Sequence, residues 1–166
     1  ATIYGREIGI GQTALIGALL VTQFVGIPFS LIFGKIAKPL GVKRALYLAI
    51  AIYTVIVILG WRMDSATEFW ILAIMVGFVQ GGAQALSRSV FGSMVPKHKS
   101  AEFFGFMGIS SKFAAIFGPF IFGFVGQLTG SSRNGIFALI IFFILGGFLL
   151  SRVDIEKGRA VARGEI

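Results

Sequence analysis

The stretch QTALIGALLVTQFVGIPFSLIF (residues 12–33), the joint GKIAKPLGVKR (34–44) and the run ALYLAIAIYTVIVILGW (45–61) together decide the fold class. A charge-free apolar run of this length crosses the ~30 Å hydrocarbon layer as a helix, which needs about 20 residues. The joint carries Lys35, Lys38, Lys43 and Arg44, and cations of this kind concentrate in short cytoplasmic loops. Two membrane helices with a cytoplasmic turn between them are therefore expected.

Three more apolar runs follow, at 69–86, 103–127 and 136–150. The loop 87–102 adds Arg88, Lys97 and Lys99 to the side of the first joint, and the tail 152–166 adds Arg152, Lys157, Arg159 and Arg163. The other side holds Arg6, Arg62 and Arg133, while Lys112 falls inside an apolar run. This asymmetry puts the C-terminus in the cytoplasm, and Trp61 and Trp70 at the outer interface. A mean hydropathy of +0.90 agrees with lipid as the main solvent. With 56% apolar and only 13% charged residues, a soluble domain of this size is excluded. The net charge of +8 is split among loops rather than gathered on one patch, so contact with anionic lipid explains it better than nucleic acid does. Without cysteine there is no disulfide, thiolate or Cys-based metal chemistry. An odd number of spans starting outside, with no initiator Met, reads as the C-terminal part of a longer protein.

In hydrocarbon the backbone satisfies its own hydrogen bonds, so the runs are helices; they lack the alternation of barrel strands. The fold class is all-α integral membrane, with five transmembrane helices. The second and fifth runs are almost wholly apolar and are expected at the lipid-facing periphery. The first, third and fourth carry Gln23, Gln80, Gln84, Ser110, Ser111 and Lys112, and are the candidate inner helices. Two of these are interrupted by Pro28 after Gly26 and by Gly118-Pro119, which predicts helix breaks and hints at an inverted repeat. Frequent Gly and Pro in membrane helices would explain the same pattern. Gly77 and Gly81 form a small-xxx-small seam.

The joint also carries a motif. Gly34 is expected to end a helix, Gly41 to allow a tight turn, and Lys43 with Arg44 to anchor the next helix at the headgroups. Gly34, Ala37, Gly41, Lys43 and Arg44 together resemble the loop signature of the major facilitator superfamily, which implies a gating loop at these positions. Lys38 stands where that pattern has Asp, so the acid latch associated with the Asp does not carry over. Residues 80–89 (QGGAQALSRS), 94–96 (MVP) and 100–105 (SAEFFG), continued by Lys112-Phe113 and Gly118-Pro119, resemble the vacuole-effluxer-like branch of that superfamily. The resemblance implies that these are the last five helices of a twelve-helix carrier, with the inner helices lining its central cavity. Its partners would be membrane lipid, the N-terminal half of the same transporter and a small-molecule solute.

The candidate site follows from polarity. Gln80, Gln84 and Arg88 fall at i, i+4 and i+8 and form one stripe, whose amides suit a polar or zwitterionic solute and whose guanidinium suits a carboxylate. Interhelical glue and topology anchoring are the other reading of the same stripe. Lys112 lies about 15 Å along its helix from Glu102, at a depth where a lysine costs on the order of 3 kcal/mol unless it reaches water, a partner or the interface. It either faces the cavity beside Ser111 or snorkels. Glu102 after Ser100 reads as a capped helix start. No carboxylate lies deep in a span and the sole histidine, His98, is in a loop, so this segment supplies no proton relay. No catalytic residue, metal site or cofactor is expected. A permease segment for a small polar solute, an amino acid among them, is the favoured function, and a carrier-like sensor or assembly subunit is the alternative.

Overall fold

The computed structural model describes residues 2–7 and 9–165. The chain is a succession of helices: α1 (Thr2–Glu7), α2 (Gln12–Leu40), α3 (Val42–Arg62), α4 (Ala66–Ser93), α5 (Ser100–Thr129), α6 (Ser132–Ala138), α7 (Ile140–Arg152) and α8 (Ile155–Arg163), with a 3-10 turn at Lys97–Lys99. Five segments are long and apolar enough to cross a membrane among the described residues, α6 and α7 together making the fifth.

The expected loop 34–44 is corrected. Helix α2 runs through Gly34 and Ala37 to Leu40, and Gly41 alone makes the turn, at φ 83° with its N–H bonded to Ala37 O at 3.0 Å. Lys43 and Arg44 already belong to α3. The reason is packing: Phe33 and Ala37 are buried against Ala45, Ala49, Val79 and Leu86, so the helix keeps burying a face beyond Gly34. Likewise Arg88 sits within α4, which ends at Ser93 rather than near residue 86.

The expected helix breaks are corrected too. Pro28 lies inside α2 and Pro119 inside α5, and both helices continue through them. In a membrane helix, neighbouring helices, hydroxyls and local adjustments accommodate the bond that Pro removes, which for Pro28 is the one to Phe24 O. A departure from the α pattern occurs instead in the fifth span, at Leu139. There, 3.0 and 3.1 Å i→i+3 bonds, from Leu139 N to Ile136 O and from Phe142 N to Leu139 O, replace the regular ladder.

Helix ends follow local chemistry. Ser65 and Glu68 form a reciprocal capping box at the start of α4, a readable S-x-x-E signature. Asp154 caps α8 through Lys157 N at 3.0 Å, and Gly130 and Gly164 close α5 and α8 in the left-handed region. Ser100 is not a cap. It is the first residue of α5, and its hydroxyl bonds back to Lys97 O at 2.8 Å.

The most extensive packing joins α2 to α4. A Cβ on Gly77 would lie 2.6 Å from Thr22 O, and one on Gly81 2.3 Å from Gly26 O, so the absence of side chains is what lets these backbones approach. Thr22 Oγ1 spans the seam to Ala73 O at 3.0 Å. Two apolar cores flank it: Phe33, Ala37, Ala45, Ala49, Val79 and Leu86 at the basic end, and Tyr4, Ile10, Leu15, Ala18, Met63 and Phe69 at the other.

Packing among these helices does not simply follow their polar content, although the two spans expected to be inner, α2 and α4, do form the central seam. Helix α3, expected at the periphery, buries Ala45, Ala49, Ile56, Val57 and Gly60 and packs on α4, α6 and α7, while its opposite face exposes Val55, Ile58 and Leu59. Small and β-branched residues give it a packing face that a polar count misses. Helix α5 packs chiefly on α6 and buries no residue. Around the bundle Phe24 is 70% exposed, Ile116 64% and Ile144 66%, an apolar surface suited to lipid or to further helices rather than to water. Among the described residues no polar or charged side chain is buried. The chain is an all-helical integral membrane protein.

Candidate functional site

The α2–α4 seam opens, midway along both helices, into a pocket of about 260 Å³ lined by Thr22, Gln23, Gly26, Ile27, Ser30, Gln80, Gly81 and Gln84. The register follows from helical periodicity. Thr22, Gly26 and Ser30 recur every four residues along α2, and Gln80 and Gln84 do so along α4, so each set projects from one face. The hydroxyls are turned back on backbone, Thr22 to Ala18 O at 2.8 Å and Ser30 to Ile27 O. The three amides are left to supply donors and acceptors. Gln80 is half-buried and Gln23 and Gln84 are exposed. The volume is below the roughly 300–1,000 Å³ of drug-sized sites and suits a small solute.

Thr22, Gln23 and Gln80 also line a larger, mostly apolar cavity of about 750 Å³. It extends toward Tyr4, Tyr53 and Phe122, and Gly118 and Pro119 of α5 form part of its wall. Pro119 thus shapes a cavity rather than interrupting a helix.

The remaining candidates lie apart. Arg88 is exposed two turns beyond Gln80. Ser111 Oγ bonds to Met107 O at 2.8 Å within its own helix, and Lys112 is exposed on α5, away from both cavities. Gly34, Ala37, Gly41, Lys43 and Arg44 are at the basic end, where Lys43 Nζ donates to Ser151 O at 3.1 Å and Val153 O at 2.7 Å. Among the described residues no His, Cys, Asp or Glu cluster could hold a metal ion.

Sequence reasoning missed Thr22 and Ser30, although their spacing about Gly26 mirrors the Gly77/Gly81 seam. It also missed a polar clasp at the opposite end. There Tyr4 Oη donates to Met63 O at 3.0 Å, Arg133 pairs with Asp64, and Ser132 Oγ donates to Glu7 Oε1 at 2.6 Å. Its members are too far apart in sequence for any local signal.

Comparison with known proteins agrees with this architecture. Residues 1–163 match the family described as vacuole effluxer Atg22 like. An uncharacterized MFS-type transporter, YxiO of Bacillus subtilis (strain 168), is 44% identical over 163 residues, 98% of this chain and 38% of the relative. Autophagy-related protein 22-1 of Aspergillus terreus is 28% identical over 96% of this chain and 29% of the relative. Autophagy-related protein 22 of Saccharomyces cerevisiae (strain ATCC 204508 / S288c) is 35% identical over 57% of this chain and 18% of the relative. The chain thus spans well under half the length of these curated relatives. No solved structure matches it. A bundle of apolar helices, a facilitator-type signature around Gly41 and a family match over nearly every residue lead to one conclusion: the chain belongs to the Atg22-like vacuole effluxer family of the major facilitator superfamily.

Proposed function

We propose that this chain is the C-terminal, solute-facing part of a secondary transporter that moves a small polar solute, an amino acid in the first instance, by alternating access. The observation that carries the reading is the convergence of Gln23, Gln80 and Gln84 on one pocket in the best-packed seam of the bundle. Amides present donors and acceptors together, which suits a zwitterion without the desolvation cost of a fixed charge. Membership in a family with transporter-named relatives supports the same reading. The protein acts as a carrier and not as an enzyme. Its partners are lipid, the remaining helices of the transporter and the solute, with no cofactor and no nucleic acid. The protein sits in a bacterial cytoplasmic membrane with its basic end, and so its C-terminus, on the cytoplasmic side.

The test is uptake of labelled amino acids by proteoliposomes of the intact protein. Gln80→Leu removes a polar contact and is expected to lower uptake about tenfold, the effect of one lost hydrogen bond of ~1.4 kcal/mol. Binding without flux in the unaltered protein would instead establish a sensor. A parallel Lys112→Met variant, expressed normally, assigns Lys112 to solute contact if uptake falls and to snorkelling if it does not.

A further inference from the structure

At the basic end the α2–α3 turn, the end of α7 and the start of α8 enclose a cavity of about 870 Å³. Its walls carry Lys38, Lys43, Arg44, Arg152 and Arg159 against two acids, Asp154 and Glu156. Both acids are engaged: Asp154 caps α8, and Glu156 pairs with Arg159 at 2.9 Å. Lys43 is engaged as well, holding the last carbonyls of α7. Lys38, Arg44 and Arg152 therefore line the cavity without an ion pair among the described residues. Arg152 also stands 5.1 Å over the Phe148 ring, one turn back along α7.

The same cavity has an apolar border. Leu40 and Val153, 39% and 37% exposed, mark the level where the apolar spans stop. A ligand here meets cations on one side and hydrocarbon on the other. We propose that this cavity binds the phosphate headgroup of an anionic phospholipid, with Arg44 and Arg152 as the principal phosphate contacts and Lys38 as an outer one. Guanidinium groups match phosphate oxygens in bidentate geometry. The bound headgroup ties the α2–α3 turn to the tail, two parts of the chain joined otherwise at this end by the Lys43 bonds. The site is independent of the solute pocket.

Native mass spectrometry of the purified protein with phosphatidylglycerol and phosphatidylcholine tests this. Each phosphate-facing cation near the surface is worth about fivefold in lipid affinity, so Arg44→Gln/Arg152→Gln is expected to lower phosphatidylglycerol retention about thirty-fold. Lys97→Gln/Lys99→Gln removes the same charge from another loop at the same end and is expected to leave retention unchanged. Equal losses in both variants would show a diffuse charge effect and overturn the site. Arg44→Lys/Arg152→Lys, which keeps the charge, is expected to retain most of the lipid. If the double Gln variant does not fold, Lys38→Gln alone is expected to lower retention about threefold, and no change would overturn the proposal. Inorganic phosphate binding as tightly as the lipid would assign the cavity to a free anion and overturn the lipid reading.

Discussion

The α2–α4 seam and the helix α5 carry similar apolar sequences sprinkled with polar and small residues, yet one is the tightest contact in the bundle and the other buries nothing. The difference lies in what stands opposite. Gly77 and Gly81 face the backbone at Thr22 and Gly26, whereas Gly105 and Gly108 of α5 have no neighbour within 4 Å of where a Cβ would be. In lipid, burial of apolar surface does not drive helices together, so association rests on close van der Waals contact and interhelical hydrogen bonds. Small residues make a seam only when two helices present them to each other. Polar content, by contrast, does not tell which helices pack within this bundle: α5 has Ser110, Ser111 and Lys112 and buries no residue here, while the nearly apolar α3 packs on α4, α6 and α7.

The contrast is most directly broken at Gly81. Gly81→Val would drive a side chain into the Gly26 carbonyl, and a loss of about 3 kcal/mol is expected from overpacking against backbone. Reversible unfolding in mixed detergent measures it, and a loss below that of an ordinary surface change would mean that the seam yields easily.

A smaller effect is expected at the clasp that joins α1 to the α3–α4 connection. Tyr4→Phe removes the bond to Met63 O while keeping the ring in its buried place, for a loss of about 1 kcal/mol in the same assay. No loss would show that the Tyr4 hydroxyl adds nothing to the hold of this end beyond the buried ring and the other clasp contacts.

The smallest effect sharpens the comparison from the other side. Gly108→Ala adds a methyl to open space and is expected to change stability by less than about 0.5 kcal/mol. A marked destabilisation in the intact protein would reveal that another helix covers α5 once the transporter is assembled.

Much of the candidate site was legible from spacing. Gln80 and Gln84 four apart, and Gly77 and Gly81 four apart, already placed an amide stripe near a close-packing face of α4. The match of that face with Thr22, Gly26 and Ser30 was not legible, because nothing local says which helix lies across. Loop 34–44 failed for a related reason. Its cations and Gly34 read as a terminus, but Phe33 and Ala37 have partners on α3 and α4 that keep the helix going to Gly41. The tail helix had local signals at Asp154 and Gly164; its docking did not, since Ser93 Oγ meets Arg159 Nε at 3.2 Å across a long sequence separation.

Hydropathy and charge asymmetry by themselves determined that this is a helical membrane protein, because desolvation and headgroup attraction act residue by residue; the residues around Gly41 added a resemblance to a facilitator family. Tertiary structure alone decided that α3 packs on α4, α6 and α7, that three glutamines from two helices share a pocket, and that distant cations meet at the basic end. Those outcomes depend on which surfaces fit each other, and shape complementarity between helices is a property of pairs that no single segment carries.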